Sequence, residues 1–142
     1  MRFLDAPLKN EICKNGIVSY ELAKDIDSSK NILNSWNSSA KQSAKYSLFF
    51  DFFFLLNYAV FIALLIYRTR YRIRKWFIYF IFIAASFDIL ENGSLLTLLN
   101  GNLNQTWSKL AYYFASIKFS LIVLCLIYLI FSGSVIVIKK LK

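Results

Sequence analysis

Asp51, Asp88, Glu91 and Asn92 lie inside long apolar runs, where side chains of these types are uncommon. A charge at the bilayer centre costs about 2.5–3.5 kcal/mol even on the lenient insertion scale. Such residues therefore face protein or water, and they mark proton paths, cation sites or helix contacts. Asp88, Glu91 and Asn92 are spaced i, i+3, i+4, which puts all three on one helical face. Lys118 is the one base within residues 110–138 and the obvious partner for the acids. Three carboxyls meeting one lysine leave at least one carboxyl protonated, reached by water or bound to a cation. The same residues also suit plain helix packing, through interhelical hydrogen bonds of about 0.6 kcal/mol each.

The elements that must position these residues follow from composition. Of 142 residues, 58% are hydrophobic and 18% aromatic, and mean hydropathy is +0.50. A soluble domain is about 45–50% apolar and mixes polar residues into every window, so an ordinary soluble domain, a disulfide scaffold and a disordered chain are excluded. A span takes about 20 apolar residues. Residues 46–67 hold a single charge, Asp51; residues 76–108 hold Asp88 and Glu91; residues 119–138 hold none. The pattern predicts an all-α membrane protein with three transmembrane helices over roughly 47–67, 76–99 and 110–138. It divides the chain into an extracytoplasmic amphipathic segment, 1–45, and a helical bundle, 46–142.

The net charge of +9 sits mostly beside the spans. Residues 68–75 carry Arg68, Arg70, Arg72, Arg74 and Lys75, and the C-terminal end carries Lys139, Lys140 and Lys142. The positive-inside rule puts both blocks in the cytoplasm and the uncharged link 100–107 outside, with residues 1–46. Five cations beside a membrane fit anionic lipid headgroups, and this placement argues against nucleic acid as a partner. Tyr67, Tyr71, Trp76, Trp107, Tyr112 and Tyr113 bracket the spans as interfacial anchors.

Depth follows from a rise of 1.5 Å per residue, counted from the cytoplasmic base of each span. Asp51, Glu91 and Asn92 then stand about 24–26 Å up and Asp88 about 20 Å. Lys118 stands near 31 Å, at or just beyond the outer boundary. From there Lys118 can turn to the acids or snorkel outward into water, because the third helix runs inward.

Before the first span, Val18, Leu22, Ile26, Ser29, Leu33 and Trp36 fall at helical spacing. They predict one or two amphipathic helices, broken near Asp27-Ser28. The segment either rests on the outer membrane boundary or packs on the rest of the protein. Residues 1–10 lack the apolar core of a signal peptide. Cys13 in this segment and Cys125 deep in the third span cannot pair within one chain, and both read as plain thiols. The absence of histidine excludes histidine-ligated haem, imidazole zinc sites and Ser-His or Cys-His catalysis. No phosphate-binding or nucleophile motif accompanies the acids, so the chain reads as a non-enzyme without metal or cofactor. Ser132-Gly133-Ser134 permits close helix approach in the third span.

The chain resembles a family of small bacterial inner-membrane proteins to which no activity is assigned. The likeness runs over roughly residues 16–135. It rests on Gly16-Ile17-Val18-Ser19-Tyr20-Glu21-Leu22-Ala23 and Ile32-Leu33-Asn34-Ser35-Trp36, then on Asp51, Phe54 and Tyr58, on Asp88, Glu91 and Asn92, and on Lys118-Phe119. The resemblance implies a multi-pass protein of the bacterial cytoplasmic membrane, N-terminus outside and C-terminus inside. Members often begin with a further hydrophobic helix, from which residues 1–15 depart, so this chain is a three-span form or has a late start. Glu21 belongs to the matched set, and it could fold back over the mouth of the bundle toward Lys118.

Two functions stay open. One is a non-catalytic membrane module that associates with lipid or a partner membrane protein, its acids serving helix packing. The other is a proton or small-cation site in a homo-oligomer, where Asp51, Asp88 and Glu91 bind charge and Lys118 tunes it. Three helices are too few to enclose a wide pathway, so the second requires several copies.

Overall fold

The computed structural model describes residues 5–69 and 71–141, with side chains as far as Ser134. Arg70, Lys142 and the side chains of Lys139 and Lys140, all part of the basic blocks, lie outside the described residues. The described chain is helical and holds no strand: a 3-10 turn at Ala6–Leu8, then Ile17–Glu21 (α1), Ile26–Ser35 (α2), Ser38–Tyr67 (α3), Arg74–Leu99 (α4) and Gln105–Leu141 (α5). α3, α4 and α5 are long and apolar enough to cross a membrane.

α3 begins well before the span expected from about residue 47. Asn37 caps it by accepting the Ala40 N–H at 2.8 Å. Its first turns bury Ala40, Ala44 and Leu48 against the N-terminal segment rather than against lipid. α5 starts early for a similar reason, since Asn104 Oδ1 takes the Thr106 N–H at 3.0 Å. The turn before it relies on Gly101, whose φ of +96° is the left-handed conformation that closes a helix C-terminus.

α4 is the middle helix. Half of its apolar stretch is buried inside the molecule, against under a quarter for α3 and α5. Both outer helices pack on α4 and scarcely meet each other. The apolar core lies in two parts, one at the α1–α2 end of the bundle and one at the α3–α4 turn.

Residues 5–36 pack on the bundle, the second of the two placements open from sequence. Tyr20 OH donates to Leu95 O at 3.1 Å and the Ser29 and Ser108 hydroxyls lie 2.8 Å apart, while Trp36 Nε1 ties the segment to itself by donating to Leu8 O at 3.0 Å. The break falls at residues 22–25, earlier than Asp27-Ser28. Asp25 is an N-cap: its Oδ1 takes the Ser28 N–H at 2.7 Å and restarts the helix. The restart shifts the buried face. Val18 and Leu22 are exposed and Tyr20, Glu21 and Ala23 are buried, whereas Ser29, Leu33 and Trp36 are buried as their spacing predicts.

Two smaller expectations fare differently. Cys13 and Cys125 are free and buried. The small-residue stretch on α5 brings only Ser132 into the interior: a Cβ at Gly133 would meet nothing within 4 Å, and Ser134 is exposed.

Candidate functional site

α4 presents Asp88, Glu91 and Asn92 to the interior through the i, i+3, i+4 spacing, and all three are buried. Each reaches a neighbouring helix. Lys118 on α5 places its Nζ 2.9 Å from Asp88 Oδ1 and 2.6 Å from Glu91 Oε2. The Tyr58 hydroxyl on α3 donates to Asp88 Oδ2 at 2.8 Å, and Asn92 Nδ2 donates to Asp51 Oδ2 at 3.0 Å. The expected set of Asp51, Asp88, Glu91, Asn92 and Lys118 is therefore one connected cluster across three helices.

Lys118 does not snorkel. Its side chain is buried, and it reaches acids that the depth count placed well below it. That count took Lys139 as the end of the span, whereas α5 runs past it to Leu141. A lysine inside an unbroken helix does not mark the membrane boundary.

Between α3 and α5, where those helices part, lies a cavity of about 500 Å³. Ile62 and Ile122 form its apolar depth, and Phe54 and Phe119, both exposed, stand at its side opening. Asp51, Asp88 and Lys118 face it from the three long helices, and Ser47 adds a hydroxyl. α1 lines the remaining end with Val18, which is exposed, and Glu21, which is buried. The volume falls within the roughly 300–1,000 Å³ of small-molecule sites.

Glu21 is 8% exposed and shares the cavity with Lys118, without coming within 4 Å of its ammonium. No donor among the described residues reaches its carboxylate. Burial pushes that carboxyl up to about 7, with the Lys118 charge acting in the opposite direction.

α1 holds Glu21 there through a close approach at its start. Asp5 Oδ1 accepts the Ile17 N–H at 3.0 Å. It does so across Gly16, whose φ is +59° and whose missing Cβ would fall 1.9 Å from Asp5 Oδ1. The Asp5 carboxylate also pairs with Lys9 at 3.2 Å.

The cluster is rich in acceptors. Glu91 Oε1 and Asn92 Oδ1 are wholly buried and accept no hydrogen bond, and Glu91 Oε2 meets Lys118 by charge without hydrogen-bond alignment. Four carboxyls, counting Glu21, stand against one ammonium. Among the described residues, no three acidic or thiol side chains close on one point as metal ligands would.

Tyr58 and Ser47 belong to the site, although the charge pattern did not single them out. Tyr58 stands among the residues that carry the resemblance, and spacing supports it: it is seven residues after Asp51, two helical turns along one face of α3. The basic link is partly engaged within the protein. Arg74 Nη1 donates to Tyr67 O at 2.9 Å and to Thr69 O at 2.8 Å, closing the α3–α4 turn, while Arg68, Arg72 and Lys75 are exposed.

The chain matches no protein-family model, no curated protein and no solved structure.

Proposed function

We propose that this protein is a non-catalytic membrane module that takes an amphiphile from the bilayer into the groove between α3 and α5. The observation that carries this reading is the cavity of about 500 Å³, apolar in its depth, polar at the α1 end and open at the side. Phe54 and Phe119, both exposed and apolar, line the cavity where α3 and α5 part, which suits entry from the acyl chains. Ile62 is three turns from Asp51, about 16 Å along α3, which leaves length for a hydrocarbon tail beneath a polar head.

The proposal places the chain in a bacterial cytoplasmic membrane, as a member of the family it resembles. The α3–α4 turn is then cytoplasmic, by the positive-inside rule, and α1 and α2 cover the outer face. Arg68, Arg72 and Lys75 attract anionic headgroups on the cytoplasmic side.

The test is native mass spectrometry of protein released from nanodiscs. Ile122→Trp fills the groove, and Val123→Trp puts the same bulk on the exposed neighbouring position. Amphiphile adducts should persist in wild type and Val123→Trp and vanish in Ile122→Trp. Wild type without adducts, or adducts indifferent to Ile122→Trp, would remove the reading.

A second reading, proton or small-cation binding in an oligomer, is favoured by the excess of carboxyls over ammonium. A strictly monomeric mass in mild detergent would count against it.

A further inference from the structure

We infer that the polar end of the groove is specific for a protonated amine bearing N–H donors, so that the amphiphile it takes carries a primary ammonium rather than an anionic or hydroxyl head. This rests on the groove reading and adds the head chemistry to it.

Charge and hydrogen-bond capacity point the same way. Glu21, Asp51, Asp88 and Glu91 are four carboxyls, and the one ammonium among them, Lys118, is already held between Asp88 and Glu91 at 2.9 and 2.6 Å. An anionic head entering the groove therefore finds its cation occupied and carboxylates beside it. A cationic head finds Glu21, nine-tenths buried, on the cavity wall with no donor among the described residues. Asp51 uses one oxygen for Asn92, lies within hydrogen-bonding reach of the Asp88 carboxyl, and faces the cavity.

Behind this wall Glu91 Oε1 and Asn92 Oδ1 are wholly buried acceptors that do not line the cavity, so they add to the excess of acceptors without meeting the head. Buried polar groups are ordinarily satisfied, and Glu21, on the cavity wall, is the one that a ligand donor reaches. A primary ammonium brings three donors and one positive charge. A hydroxyl brings a donor without the charge, and a quaternary ammonium brings the charge without the donor. Glu21 and Asp51 are the specificity-determining residues, from α1 and α3, on either side of the head.

The experiment compares hexadecylamine, hexadecyltrimethylammonium and hexadecanol on the full chain in phosphatidylcholine nanodiscs at pH 8. Hexadecylamine should bind about ten- to a hundredfold tighter than hexadecanol, the range for hydrogen bonds to a charged group. Hexadecyltrimethylammonium should fall between them. Glu21→Gln and Asp51→Asn keep shape and remove charge, so they should bring the amine preference toward unity. Equal binding of amine and alcohol, equal binding of amine and quaternary ammonium, or a preference that survives both variants would overturn the head assignment and leave the groove standing. If no probe binds, and Ile122→Trp changes nothing, the groove reading itself falls. Repeating the titration in phosphatidylethanolamine nanodiscs separates two sources of the same chemistry. Competition by the bilayer would assign the head to the lipid's own ammonium, and undiminished binding would assign it to a free alkylamine.

Discussion

Lys118 and Asp88 form a buried ion pair, Nζ to Oδ1 2.9 Å, between α5 and α4. The second oxygen of the same carboxylate takes the Tyr58 hydroxyl of α3 at 2.8 Å. One carboxylate thus links three helices, two of which scarcely touch directly. The pairing keeps α3 and α5 in register on α4 while leaving room between them.

Removal of Lys118 tests the energetics of that link. Lys118→Met leaves Asp88 and Glu91 buried without a counter-charge, and breaking one partner of a buried pair costs about 3–5 kcal/mol. Adding Asp88→Asn and Glu91→Gln should recover most of the loss, because the uncompensated charges go with them. Unfolding in mild detergent would show this. A triple variant no more stable than Lys118→Met alone would contradict it.

Gly16→Ala should release α1 without disturbing the spans. The new Cβ would lie 1.9 Å from Asp5 Oδ1, and the φ of +59° is strained for any other residue. Hydrogen exchange should speed up in residues 17–23, with residues 74–99 unchanged. The site then loses Glu21 and retains Lys118 with its acids.

Arg74 and Arg72 should behave oppositely. Arg74 closes the α3–α4 turn by donating to two carbonyls and lies 4.9 Å from the Tyr67 ring centroid. Arg74→Ala should cost about 1–3 kcal/mol, as a charged hydrogen-bond donor does. Arg72 is exposed, so Arg72→Ala should leave stability within about 0.5 kcal/mol and weaken binding to vesicles rich in phosphatidylglycerol. Equal loss of stability in both variants would show that the link is uniformly structural.

The spans and the shared face of Asp88, Glu91 and Asn92 were legible in the sequence because each is a one-dimensional property, a run length or a residue spacing. What was not legible depends on how elements meet. Asn37 and Asp25 each cap a helix, and a cap moves a boundary by a turn or more without changing the hydrophobic pattern. The shift of phase at Asp25 buried Ala23 and exposed Leu22, which no single helical period across residues 17–36 reproduces. The cavity escaped notice because a gap between α3 and α5 belongs to neither sequence. Ile62 and Ile122 read as ordinary lipid-facing or core residues until both helices are set on α4.

Glu21 gives the bundle a pH dependence whose sign is unusual for a carboxyl. Burial raises it from the usual 4.5 to about 7. Folded protein then holds this proton more tightly than unfolded chain, so its contribution is intact below pH 4.5 and is lost as pH rises toward 7. The full loss is about 3 kcal/mol at 1.36 kcal/mol per unit, comparable to a buried ion left without a partner. The groups that set the field at Glu21 come from every packed element: Asp5, Asp51, Asp88 and Glu91 oppose its ionisation and Lys118 favours it. Ionisation should therefore loosen α1 first, because α1 carries the charge and is the shortest helix on the site. Hydrogen exchange in residues 17–23, corrected for intrinsic rate, should quicken between pH 5 and pH 8 in wild type and stay flat in Glu21→Gln. A protonated alkylamine in the groove should reverse the wild-type trend, since the ionised carboxylate then gains a partner. An equal slope in wild type and Glu21→Gln would assign the response to the other acids and remove Glu21 from control of α1.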